Sequence, residues 1–195
     1  MSDIRLHIAC GTVYLKDYIN IDLSLPGHYL ANDRPDLVEQ NVTTIDNYYK
    51  SDVSKNDFMT GKYQKKAVVC DKFANVKKLN YPIGSIKEIV GMHIFEHFTF
   101  QEGQDLLEYW YELLEDGGSL RLHVPDIQGI VDSFNDDVDW GIRQLYGSQK
   151  NSFGIHKSGY TFDTLSRLLR RFSFRDIERL DNINSYPAFG IRGYK

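Results

Sequence analysis

The feature that most restricts this chain is a repeated alternation in which short apolar runs are followed by longer amphipathic stretches. Runs of that length are too short for helices, and the stretches between them carry helical spacing. The pattern is that of strands joined by crossover helices. Residues 4–9 (IRLHIA) read as a first strand, 18–23 (YINIDL) as a second and 66–71 (KAVVCD) as a third. Residues 86–92 (IKEIVGM) give a fourth and 119–124 (SLRLHV) a fifth, stopped by Pro125. Two further runs, 172–180 and 188–194, close the sheet as an antiparallel pair. The expected fold class is α/β, with an open, doubly wound, mostly parallel seven-stranded sheet.

The helices are signed more clearly than the strands. Thr99-Phe100-Gln101-Glu102 is a capping box, in which hydroxyl and carboxylate satisfy backbone donors reciprocally. Leu106, Leu107, Trp110, Leu113 and Leu114 then share one face, and Gly117-Gly118 supplies a left-handed end. Asp126 can cap a second helix, with Ile127, Ile130, Val131 and Phe134 as its buried stripe. Thr161 opens a third, carrying Leu165, Leu168, Leu169 and Phe172. All these apolar residues are assigned to the core.

A length of 195 residues fits one domain spanning 1–195, able to bury a core without disulfide or metal staples. Two polar stretches exceed the usual ~2–6-residue connection: an insert at about 25–65 and a cap segment at about 136–160. Both are expected above the carboxyl edge of the sheet, where open α/β sheets bind ligands. With 42% hydrophobic and 26% charged residues, the composition excludes a disordered chain. No apolar run approaches the ~18 residues of a membrane span, and the opening MSDIRLHIACG lacks a signal core. The two cysteines, Cys10 and Cys70, lie in apolar stretches and do not make a disulfide framework. A cytoplasmic location without a membrane partner is expected. A net charge of −4 argues against nucleic acid as a partner. The lysines at 62, 65, 66, 72, 77 and 78 read as a solvated face, and oligomeric state is left open.

Chemistry enters with Ala9-Cys10-Gly11-Thr12 after the first strand. A glycine there lets the backbone approach a ligand, and a carboxylate ending the second strand, Asp22, can take a ribose diol. The G-x-G-x-x-G fingerprint is missing, which disfavours dinucleotide oxidoreductases. His93-Ile94-Phe95-Glu96-His97 has the H-x-x-E-H form of an inverted zinc hydrolase. That chemistry requires a helix, yet the capping box starts the helix at Thr99 and a strand runs up to Met92. The pentapeptide is therefore assigned to a strand end and loop, with Glu96 and His97 as buried polar groups and no residue assigned to a metal. His123 alternates with Leu122 and Val124 and belongs to the core.

The runs LHIACGTVYLKDYINID, ANVKKLNYPIGSIKEIVGMHIFEHF and LLEYWYELLEDGGSLRLHVPD, in this order and spacing, resemble class I S-adenosylmethionine-dependent methyltransferases. The likeness is to their small bacterial and phage-type members. The tail YGSQKNSFGIHKSGYTFDTLSRLLRRFSF is similar to the final segment of the same family. The resemblance implies S-adenosylmethionine as cofactor. It places Ala9, Cys10 and Gly11 under the methionine and ribose, Asp22 on the ribose hydroxyls, and Asn75 and Val76 at the adenine. His93, ending the fourth strand, would border the methyl-transfer centre, and His156 would line the acceptor pocket. His93 and His156 are thus the expected catalytic residues, histidine being the side chain that changes charge near neutral pH.

The family usually opens with an acidic residue and then three glycines at alternate positions. This chain has His7, Ala9, Gly11 and Val13 there. That departure implies weaker cofactor binding and keeps a non-catalytic cofactor-binding module as the alternative. The expected reaction is methyl transfer to an oxygen or nitrogen of a small-molecule acceptor, with a saccharide as the named class.

Overall fold

The structure is a computed structural model and describes residues 3–48, 67–181 and 186–195. The chain divides into two compact units, one of Arg5–Leu79 and one of Met1–Ile4 with Asn80–Lys195. The main sheet is seven-stranded and mostly parallel, as the alternation of apolar runs predicts.

In the Arg5–Leu79 unit, β1 (Arg5–Ile8) pairs in parallel with β3 (Ile19–Asp22), Leu6 facing Ile19 and Ile8 facing Ile21. Leu6, His7 and Ile8 are all buried, so both faces of β1 are covered, as in a parallel sheet. A histidine can occupy such a position only if its ring is satisfied. His7 Nδ1 meets Asn20 Oδ1 and its Nε2 meets the Tyr48 hydroxyl, both at 2.8 Å. Asn20 Oδ1 also accepts the Leu15 N–H. The proton is therefore on Nδ1, and Tyr48 donates to Nε2.

Two-residue β2 (Tyr14–Leu15) pairs in parallel with a strand of the insert. That insert contains β4 (His28–Leu30), α1 (Pro35–Asn41) and β5 (Val42–Thr43), the last being the partner of β2. The predicted third strand, 66–71, is corrected here. Its core, β6 (Val68–Cys70), pairs with β4 in a separate two-stranded sheet. The main-sheet strand is β7 (Lys72–Phe73), parallel to β3. Asp71 makes the hand-over: its N–H donates to the Asn20 carbonyl, and its carboxylate takes the Asn20 N–H at 2.7 Å.

In the other unit, β8 (Ile86–Met92) lies parallel to β9 (Leu114–Pro125), with α2 (Phe100–Leu113) between them. The capping box forms as predicted: the Glu102 N–H donates to Thr99 Oγ1, and the Thr99 N–H to Glu102 Oε2 at 2.9 Å. Leu106, Leu107, Trp110, Leu113 and Leu114 are all buried, each large apolar side chain contributing roughly 1.5–3 kcal/mol relative to exposure. Gly117-Gly118, however, does not end that helix. The chain turns extended at Leu114, and Gly117, at φ +79°, sits where the β8–β9 register shifts.

Asp126 precedes α3 (Ile127–Asp132) without a side-chain capping bond, and of its predicted stripe Ile130 is buried while Val131 is exposed. The cap segment holds α4 (Val138–Tyr146) and is tied to the end of β9 by a bridge between Asp126 and Tyr160. Thr161 opens α5 (Phe162–Arg171) with a second capping box, and Leu165 and Leu169 are buried on it. The closing strands β10 (Arg175–Leu180) and β11 (Ala188–Tyr194) are antiparallel, and β11 runs antiparallel to β9. Among the described residues no helix is long and apolar enough to cross a membrane. Of the predicted solvated lysines, those at 62, 65 and 66 lie outside the described residues.

Candidate functional site

In the Arg5–Leu79 unit the loop after β1 turns through Ala9 (φ +50°) and Gly11 (φ +57°). It is pinned to β3 by the Cys10 N–H, which donates to the Ile21 carbonyl at 3.0 Å. Asp22, at the carboxyl end of β3, faces this loop. Its Oδ2 accepts the Gly11 N–H at 2.8 Å, and its Oδ1 accepts the Leu23 N–H at 2.7 Å. An ionised carboxylate has about four acceptor positions, so two backbone bonds leave room for a pair of hydroxyls. The side chain keeps 12% of its surface accessible.

A Cβ built on Gly11 would meet nothing within 4 Å, so the space over its backbone is open. Both observations fit the ribose of a nucleoside. Cys10 is buried, and burial together with Asp22 pushes its thiol well above the ordinary range, which leaves it a neutral wall.

The Ala74 N–H donates to the Asp22 carbonyl at 2.9 Å, which sets Asn75 and Val76 directly after the β3–β7 contact. Asn75 is exposed and its Oδ1 accepts the Lys77 N–H at 2.9 Å, while Val76 is buried. The structure thus brings Ala9, Cys10, Gly11 and Asp22 together, with Asn75 and Val76 on the next strand end. Sequence reasoning missed His28, whose Nδ1 donates to the Leu23 carbonyl at 2.8 Å and lies 3.6 Å from Asp22 Oδ1. It also missed Asp71, which accepts from the Tyr14 hydroxyl.

The second cluster belongs to the other unit. His93 follows β8 at φ +52°. Its Nδ1 lies 3.2 Å from Glu96 Oε1, and the Tyr186 hydroxyl lies 3.1 Å from its Nε2. A carboxylate can only accept, so Nδ1 carries the proton; the Tyr186 hydroxyl lies against the ring edge between the two nitrogens, 3.3 Å from Nδ1. Residues 95–97 form a single 3-10 turn, as expected for a strand end and loop, and His93, Glu96 and His97 do not share a helix face.

Glu96 is 1% exposed. Burial favours its neutral acid, but the His93 hydrogen bond and the neighbouring His93, His97 and His156 outweigh it and hold the carboxyl below its ordinary range. The Glu96 carbonyl accepts the N–H groups of Lys157 and Ser158, drawing the 155–158 loop to this turn. His156 is thereby set beside His97, ring centroids 4.9 Å apart. Burial lowers the His156 pKa. His93 and His156 are thus brought into one cluster through Glu96. Tyr186, stacked edge-on against Trp140 at 6.5 Å, is the member that sequence reasoning missed; it lies in polar sequence with no periodicity to mark it. His123 is fully buried, in line with its core assignment.

The strand succession and the final antiparallel strands make an open α/β sheet of the Rossmann-like kind. Two solved structures share it. One is a SAM-dependent methyltransferase from Methanosarcina mazei, at 15% identity over 99% of this chain and 92% of that one, with a TM-score of 0.53. The other is a SAM-dependent methyltransferase from Archaeoglobus fulgidus, at 14% identity over 100% of this chain and 87% of that one, with a TM-score of 0.51. At such identities the likeness is one of fold. No protein-family model and no curated protein matches the chain.

Proposed function

We propose that this chain is an S-adenosylmethionine-dependent methyltransferase acting on an oxygen or nitrogen of a small-molecule acceptor. A saccharide hydroxyl is the acceptor class suggested by the resemblance to the small bacterial members of that family. The observation that carries the reading is the Asp22 carboxylate, held by the Gly11 N–H at 2.8 Å beside open backbone at a strand's carboxyl end. Bound cofactor supplies a methyl group already activated by a positive sulfur, so the protein's task is alignment and exclusion of water.

Asp22 takes the ribose hydroxyls, and Ala9, Cys10 and Gly11 form the floor. Asn75 and Val76 border the adenine. In the other unit Glu96 holds the proton of His93 on Nδ1. Nε2 is then the nitrogen that would take a proton from an acceptor hydroxyl. The Tyr186 hydroxyl, 3.1 Å from that nitrogen, borders the same space. His156 contributes to the wall of the acceptor pocket.

Calorimetry with S-adenosylhomocysteine tests the site. Asp22→Ala is expected to weaken binding at least tenfold, about 1.4 kcal/mol, and an unchanged affinity would remove the assignment. Transfer of labelled methyl to a panel of sugars, nucleotide sugars and amines then tests turnover. Cofactor binding without transfer to any of them would favour a binding module.

A further inference from the structure

We infer that Glu96, His97 and His156 form a binding site for a divalent first-row transition cation of the zinc type. One potential ligand atom from each of the three residues lies within 4.8 Å of the other two. The hydrogen bonds say which nitrogens are able to ligate. His97 Nδ1 meets the Ile155 carbonyl at 3.0 Å, and His156 Nδ1 meets the Gln144 carbonyl at 2.8 Å. A carbonyl can only accept, so both rings carry their proton on Nδ1 and leave Nε2 bare. That is the arrangement by which metal-binding histidines are oriented, one nitrogen donating to a carbonyl and the other turned to the ion.

The third ligand is supplied by the carboxylate. Glu96 is 1% exposed; its Oε1 is taken by His93, but among the described residues its Oε2 has no hydrogen-bond partner. A buried, unpartnered carboxylate oxygen is costly unless something compensates it. A cation between the two bare imidazole nitrogens does so.

Two imidazoles and one carboxylate suit zinc and its first-row neighbours, whereas magnesium and calcium prefer oxygen ligands throughout. Ligand distances of about 2.0–2.2 Å require the three atoms to draw inward by roughly an ångström, which side-chain rotation of Glu96 and the partly exposed rings supplies. Backbone bonds from Lys157 and Ser158 to the Glu96 carbonyl already fix the spacing of the two loops. Three protein ligands leave a position open for an oxygen of water or of a hydroxyl-bearing substrate. The set differs from the H-x-x-E-H reading of the sequence: His93 gives its Nδ1 to Glu96 and is not a ligand, and the third member comes from His156, 59 positions beyond His97.

This inference stands apart from the methyltransferase reading, and its test reads metal alone. The full chain, stripped with chelator, is titrated with zinc by calorimetry, and Co²⁺ is followed by its visible absorption. One equivalent of zinc is expected to bind. His97→Gln and His156→Gln are each expected to weaken it by roughly a hundredfold and to abolish the Co²⁺ bands of a nitrogen-ligated site. Glu96→Gln is the third variant; since Glu96 is buried, circular dichroism first establishes that it folds, and the two histidine variants decide the matter if it does not. Absence of saturable zinc binding to the wild-type chain would overturn the site. So would stoichiometric binding that survives both histidine substitutions. S-adenosylhomocysteine affinity measured on the same samples separates a failure here from a failure of the cofactor site.

Discussion

Ala9 and His93 are non-glycine residues held at positive φ, +50° and +52°, each directly after a strand of the main sheet. Such backbone costs on the order of 1–3 kcal/mol and persists only where the surroundings impose it, commonly at functional sites. At Ala9 the cause is visible: the Cys10 N–H is bonded across to Ile21, and the Gly11 N–H to Asp22. The methyl group of Ala9 therefore sits on a turn that suits glycine. Ala9→Gly is expected to stabilise the chain by about 0.5–1 kcal/mol in urea unfolding, strain relief outweighing the added freedom of the unfolded state. S-adenosylhomocysteine binding should be retained. Destabilisation would show that the turn carries no strain.

Among the elements, β11 carries a tight fit. Gly190 lies opposite His123 of β9, and a Cβ there would stand 2.3 Å from the ring's Nε2 and 2.8 Å from Leu180 Cβ. The backbone of β11 is thus pressed against a fully buried imidazole. Gly190→Ala should cost about 2–3 kcal/mol in urea unfolding, and a neutral result would mean that His123 can turn aside.

The elements also show how far sequence reasoning reaches. Ile86–Met92 and the Thr99 capping box were legible because apolar runs and paired side-chain signals are local. The third strand was misplaced because Val69 and Cys70 are buried in a small sheet as thoroughly as they would be in the large one. Periodicity reports burial, not the partner. The position of Asp22 at the end of its strand was legible from the apolar run before it. Tyr186, Asp71 and the pairing of His156 with His97 were not, because long-range contacts bring them to their sites and no spacing encodes those contacts.

At the scale of the whole molecule, two buried histidines tie stability to pH. Burial lowers the pKa of His7 from 6.5 to about 4 and that of His123 from 6.5 to about 3. A lowered pKa means that the folded chain binds fewer protons than the unfolded one in this range. The stabilisation is complete above pH 6.5 and is lost as pH falls toward 4 for His7 and toward 3 for His123. Each contributes a slope of about 1.4 kcal/mol per pH unit within its window. Urea unfolding from pH 7 to pH 4 should show the decline, and His7→Gln should make it shallower; an unaltered slope would place the coupling elsewhere.

Strand β10 ends the sheet order, with β11 as its neighbour. It is composed of Arg175, Asp176, Ile177, Glu178, Arg179 and Leu180, and its register is broken between Arg175 and Glu178. An outermost strand with free amide and carbonyl groups is a template on which other chains can assemble into fibrils. Four charges and a kink make this border, outermost among the described residues, a poor template for recruiting further copies of the chain.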